Sequence, residues 1–488
     1  MDNKKLDLRD YIFGYIDAEK ELTYKPAIIE KAFYDPYNYI EKLLNDIEFM
    51  LIGRKGVGKT TYSAKIRQLS SESNEISAEQ ISLSKFNFDD FYKTKNDNYD
   101  GSRKFKTAWD LIFLIEIFSF IENEGGFATI ESYERCIKAL KQNGLIFDKN
   151  SFNSIVTELA SNELEFNFKA VKSTSILNHK KVALSQNQIV EYLVSVLKDI
   201  YFNGSKFIII IDGLDDILRF KKEQTEILSG LIRSLDDLNN IFAQNKIGVK
   251  IILLIRDDIL SSINDPDFTK IKNDCGIYVN WNNIDDLKEL INLRFKLSGI
   301  TNRSTSHWYN IFPNKINDLD SWKFIVDRTL MKPRDLIQFM LLCQRDFPNA
   351  ESLTLGMVNS LLESYSREYF LSEMKSTLSG FIDDDIVNCV DIAFKSIGQT
   401  DFTITKFFGK LKSKCPDIKK PSAEKIIEIL FSNGYVGQLV TKTSIKNGKE
   451  SYKNYIDFKY RNHILSFDPE ARFRVHHGLY YALGFYKK

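Results

Sequence analysis

The octapeptide GRKGVGKT at residues 53–60 constrains this chain more than any other stretch. It satisfies G-x-x-x-x-G-K-[ST] at every fixed position, and its flanks fit: the apolar run IEFMLIG leads in and TTYSAKIRQLS reads as a helix leading out. Gly53, Gly56 and Gly58 let the backbone curl tightly, so that successive N–H groups converge on phosphate oxygens. The helix that follows adds its N-terminal dipole. Lys59 supplies a point charge to the β- and γ-phosphates, and Thr60 offers a hydroxyl to Mg²⁺. Gly53, Arg54, Lys55, Gly56, Val57, Gly58, Lys59, Thr60 and Thr61 are therefore the expected ATP-binding run. The side chains of Arg54 and Lys55 are expected to point to solvent.

A phosphate loop of this kind needs an apolar strand ending in acid, and FIIIIDGLDD at residues 207–216 supplies one. Asp212, at the strand's C-terminal end, is placed to hold Mg²⁺ together with Thr60. Asp215 or Asp216 is expected to polarise the attacking water, with Asp216 preferred. A guanine-reading N-K-x-D is missing: Asn245-Lys246-Ile247-Gly248 lacks the aspartate. Arg256 ends the next apolar strand, KIILLIRDD, where a cation can stabilise the γ-phosphate; its competing use is pairing with Asp257 or Asp258. Arg334 follows Pro333 at the expected helix start in MKPRDLIQF, the candidate second arginine at the nucleotide.

The 488 residues suffice for two to four domains at roughly 100–200 residues each. Short apolar strands at 47–53, 206–212, 249–256 and 276–281, together with QISLSKFNF at 80–88, alternate with helical stretches. That is the pattern of a parallel sheet covered on both faces. After Trp281 the periodicity is helical, and from Phe381 three short helices are followed by strand candidates, as in a winged helix. The expected boundaries are a helical lead-in at 1–45, a core at 46–281 with a helical insertion at about 95–200, a helical lid at 282–375 and a winged-helix-like domain at 376–488. Five scattered cysteines without a CxxC pair argue for a reducing, cytoplasmic setting and against a zinc site. The most apolar run, residues 111–121, is too short to span a bilayer, which needs about 20 apolar residues. Net charge is +1, but residues 401–488 carry 17 Lys+Arg against 8 Asp+Glu. Lys406, Lys410, Lys412, Lys414, Lys419 and Lys420, with Lys442, Lys446, Lys449 and Lys453 in the expected wing, offer a basic surface for nucleic acid or for a protein partner. His476 and His477 are expected to serve packing.

GRKGVGKT, IIIIDGLDD, the strand-end Arg256, WNNIDDLKELINLR and MKPRDLIQF, in this order, resemble the STAND-type and AAA+-like P-loop ATPases. The resemblance spans roughly residues 30–345 and is strongest to a bacterial group found in phage-defence and mobile-element neighbourhoods. It implies an α/β three-layer P-loop NTPase of the ASCE/AAA+-like kind, carrying the insertion, lid and winged helix. It makes Arg256 the first sensor and Arg334 the second. Asp216 stands where the group usually has glutamate, one methylene longer, so slow turnover is implied. The function expected is a regulatory or sensor ATPase of a bacterial antiphage defence system, oligomeric, using ATP·Mg²⁺ to control a companion effector. Two alternatives are a DNA-binding initiator or remodelling ATPase, and a nucleotide-gated protein-binding module with little hydrolysis.

Overall fold

A computed structural model describes residues 6–84, 86–94, 103–125, 130–146, 155–156, 185–214, 223–263, 268–299, 307–446 and 449–486. The chain divides into two compact units. A sheet unit comprises Tyr37–Gly53 and Lys59–Tyr278, and a composite unit comprises Met1–Pro36, Arg54–Gly58 and Val279–Lys488.

The sheet unit is built on five parallel strands: β1 (Met50–Gly53), β2 (Ile76–Ser82), β3 (Lys206–Asp212), β4 (Val249–Arg256) and β5 (Gly276–Tyr278). Their order is β2-β3-β4-β1-β5, which makes the sheet α/β and places β4 between the acid-bearing strand and the strand that enters the loop. The central strands are buried nearly throughout, as their saturated Ile and Leu content requires of strands covered on both faces. β2 begins and ends earlier than expected. It is an edge strand, so Ser77, Glu79 and Gln80 are tolerated within it, whereas the alternation at 80–88 straddles its end. Leu83 and Phe86 lie beyond the strand, and Phe86 stacks on Trp109 at 5.1 Å.

Trp109 belongs to the helix Arg103–Glu124, whose buried positions run all around it from Phe105 to Ile121. It packs against the helices Gln186–Asp199 and Glu223–Gln244, and Trp109 Nε1 donates to Ile227 O at 3.0 Å. A capping box between Ser185 and Gln188 starts the helix Gln186–Asp199. Among the described residues no helix is long and apolar enough to cross a membrane.

In the composite unit the helices Ile284–Leu297 and Pro333–Asp346 pack with the N-terminal segment, and the helix Leu355–Ser364 packs on Pro333–Asp346. Arg294, almost fully buried, pairs with Glu21 at 2.5 Å and also donates to Phe13 O. Gln344 donates to the carbonyls of Leu8 and Tyr11 at 2.8 Å. Three further helices, Asp384–Ile397, Ile404–Lys412 and Lys420–Ser432, precede the antiparallel pair Val436–Lys446 and Lys449–Asp457. Phe473–Val475 and Asp401–Phe402 complete a four-stranded sheet with that pair. His476 is buried: its Nδ1 accepts from Gly478 N at 3.0 Å and its Nε2 meets the Tyr460 hydroxyl at 3.1 Å.

Candidate functional site

In a parallel sheet all C-terminal strand ends lie along one edge. Gly53, Asp212 and Arg256 are therefore brought to the same edge of the sheet unit, with Gly53 in register with Arg256. The 14-residue helix Lys59–Glu72 begins there. Lys59 Nζ donates to Gly53 O at 2.9 Å, which folds the lysine back over the loop's start. Thr60 Oγ1 donates to Asp212 Oδ2 at 2.9 Å, although the two residues are 152 positions apart in sequence. Asp212 Oδ1 accepts from Gly213 N at 2.7 Å. Gly213 has φ +84°, and a Cβ there would meet Ser84 N at 2.8 Å, so the turn after β3 needs glycine.

Arg256 reaches the expected edge but is engaged. Its Nε and Nη2 bind Asp258 Oδ1 and Oδ2 at 2.9 and 2.5 Å, a bidentate clasp two residues along the chain. Asp215 and Asp216 lie outside the described residues. Thr61 follows Thr60 in the first turn of the helix.

The middle of the loop, Arg54–Gly58, belongs to the composite unit. Gly56 and Gly58 take the left-handed φ values +86° and +101° that the tight curl requires. Val57 is buried, and its carbonyl accepts from Trp281 Nε1 at 2.9 Å. The expectation that Arg54 and Lys55 point to solvent is not met. Arg54 Nη2 donates to Leu330 O at 3.1 Å and its guanidinium lies 5.4 Å from the Tyr460 ring centre. Lys55 Nζ reaches Ser376 Oγ at 3.0 Å and Glu373 at 3.6 Å. Partners supplied by distant segments hold both side chains, which a loop read in isolation does not reveal.

Arg334 sits in the first turn of the helix Pro333–Asp346, half-buried. Its backbone N donates to Gly56 O at 3.4 Å, and its side-chain stem would lie 3.4 Å from a Cβ on Gly56. The helix-start arginine is thus against the loop rather than free in solvent. Beside it Asp335 is buried, its carboxylate accepting from Leu330 N at 2.8 Å and from the Tyr369 hydroxyl at 2.9 Å. Burial, with Asp335 nearby, drives the phenols of Tyr365, Tyr369 and Tyr435 well above their ordinary range. Trp281, Lys332 and Tyr460 are loop neighbours that sequence reasoning did not single out. Only the proximity of Trp281 to a strand end, and of Lys332 to Arg334, offered a signal.

In the C-terminal part, Lys406, Lys410, Lys412, Lys414, Lys419, Lys420, Lys442 and Lys453 are exposed. Lys425, on the third of the three helices, pairs with Glu428 at 2.9 Å.

Residues 285–372 match the family described as the FunZ-associated C-terminal helical domain. No curated protein matches the chain. Among solved structures, the Aeropyrum pernix ORC1 protein in complex with DNA is similar at 12% identity and a TM-score of 0.37, over 93% of this chain and 95% of that one. Cdc6p from Pyrobaculum aerophilum is similar at 13% identity and a TM-score of 0.32, over 90% and 92%. The RuvB Holliday junction branch migration motor of Thermotoga maritima is similar at 11% identity and a TM-score of 0.30, over 92% and 94%. Likeness at this level carries no functional conclusion.

Proposed function

We propose that the chain binds ATP with Mg²⁺ at residues 53–61 and hydrolyses it slowly, as a regulatory ATPase that controls a companion effector in bacterial antiphage defence. The observation that carries the nucleotide reading is the 2.9 Å contact between Thr60 and Asp212, made beside Lys59 at the edge where β1 and β3 end. A hydroxyl and a carboxylate are the hard oxygen donors that Mg²⁺ selects, so the residues present fit the ion. When bound, Mg²⁺ supplies charge neutralisation to the β- and γ-phosphate oxygens.

The chain's own residues do the rest of the work. Lys59 exchanges the Gly53 carbonyl for a phosphate oxygen, a charge-assisted bond stronger than the neutral one it replaces. The amides around Gly56 and Gly58 face the anion in the conformation their positive φ values give. Arg334, stacked over Gly56, is the second cation. Arg256 acts as a sensor by trading Asp258 for the γ-phosphate, and Asp215 or Asp216 orients the attacking water. The aspartate at 216 motivates slow turnover, because its carboxylate reaches less far than a glutamate would.

The helix Lys420–Ser432 exposes its one mid-helix lysine already neutralised by Glu428. A major-groove reader carries Arg, Asn or Gln on its exposed face. We therefore favour a winged-helix domain that docks protein, within a chain that assembles as an oligomer.

Mg²⁺-dependent ATP hydrolysis by purified protein tests the enzymatic reading. Asp212→Asn should abolish the Mg²⁺ dependence and lower turnover by about 10²-fold or more. Undiminished Mg²⁺-dependent hydrolysis by that variant would remove Asp212 from the site. Affinity purification of the tagged chain from its host tests the effector: a stably associated protein is expected, and recovery of nucleic acid alone would favour the initiator reading.

A further inference from the structure

Lys332 immediately precedes the helix Pro333–Asp346 and is only 6% exposed. Among the described residues its ammonium makes no hydrogen bond and no ion pair within 4 Å. Burial of most of this side chain disfavours its charge, which no direct bond from the described residues offsets. Its stem lies against the loop: Lys332 Cδ would be 3.5 Å from a Cβ on Gly56, beside the stem of Arg334 at 3.4 Å. Gly56, at φ +86°, leaves open the space that a side chain would take. We propose that Lys332 is a further anion-binding residue of loop 54–58, whose side-chain nitrogen is completed by the phosphates of a bound nucleotide. The proposal rests on the nucleotide reading above and adds to it a residue.

The charged and titratable groups around Lys332 come from several elements. Arg54 on the loop and Arg334 on its own helix oppose its charge, and Asp335 and Glu373 favour it. Buried His476 also faces it. Burial is the largest influence and pulls the ammonium down to about 7, against an ordinary lysine near 10.5. Asp335 gives the strongest opposing pull, but without a direct ion pair, its oxygens accepting from Leu330 N and Tyr369. Polyanionic phosphate supplies the missing negative charge and raises the value again. The folded, nucleotide-free protein therefore holds Lys332 protonated below pH about 7 and largely neutral above it. Nucleotide prefers the protonated form. Affinity should be highest below that value and fall as pH rises through it, by up to about tenfold per unit.

The test is calorimetric titration of the full chain with ATP·Mg²⁺ in two buffers of different ionisation enthalpy. Near pH 8 the wild type should take up close to one proton per nucleotide. Lys332→Met should lose that uptake and bind about tenfold more weakly or worse at about pH 6.5. Lys332→Arg, charged at every pH used, should bind without the uptake and without the pH slope. Because the wild type and Lys332→Arg suffice for the comparison, poor folding of Lys332→Met would not remove the test. Equal proton uptake in the wild type and Lys332→Arg would overturn the role of Lys332 and leave the loop's nucleotide reading intact. Failure of the wild type to bind any nucleotide would overturn that reading, and this inference with it.

Discussion

At the residue scale, a few side chains carry chemistry through contacts made over long sequence separations. Thr60 and Asp212 are each unremarkable in composition, yet their hydroxyl-to-carboxylate contact fixes the end of β3 against the first turn of the helix Lys59–Glu72. Thr60→Val keeps the volume and removes the donor. It should lower Mg²⁺-dependent nucleotide affinity by about tenfold while leaving Mg²⁺-independent binding nearly unchanged. Parallel titrations with and without Mg²⁺ decide it, and an equal loss in both would mean that the loop itself had been distorted. His476 gives a prediction of a different kind. Burial first, then the positive charges of Arg461, Arg328 and Lys332 and neighbouring His477, hold its imidazole well below its ordinary value. The unfolded chain binds a proton there that the folded chain refuses. Stability from His476 is complete above about pH 6.5 and is lost as pH falls below it. Melting temperature should drop between about pH 7.5 and 5.5, and His476→Gln should flatten the slope; an unchanged slope would assign the acid sensitivity elsewhere.

At the element scale, two placements decide whether the fold survives substitution. The buried Arg294–Glu21 pair ties the N-terminal segment to the helix Ile284–Leu297, and Arg294 also binds Phe13 O. Arg294→Met strands the Glu21 carboxylate and should cost about 3–5 kcal/mol. A double variant that also carries Glu21→Gln should recover part of the loss in urea unfolding, and no recovery would show that packing rather than charge holds the segment. The strand and helix pattern was legible in the sequence wherever an element is buried on one predictable face or on both. β3 and β4 are saturated with Ile and Leu, and the amphipathic helix Pro333–Asp346 opens on its proline. β2 was misplaced because an edge strand may carry Ser, Glu and Gln, which erases the alternation that marks a strand. The loop was legible because tight curvature admits few residue types. Trp281, Tyr460 and Lys332 were not, since each meets the loop from a distant segment and no local pattern marks a side chain for burial.

At the scale of the whole molecule, the chain is two compact units, and the run 53–60 has residues in both: Gly53, Lys59 and Thr60 with the sheet, Arg54–Gly58 with the composite unit. A ligand that binds only the native arrangement of that run stabilises the protein by mass action, roughly 2.7 kcal/mol at a hundredfold excess over its dissociation constant. The most direct measurement of the central claim is the equilibrium affinity of ATP·Mg²⁺ for the wild type and for Lys59→Ala. The geometry at Lys59 and Gly53 predicts saturable one-to-one binding by the wild type, weakened about a hundredfold or more when the ammonium is removed. Equal affinity in the two proteins would contradict it.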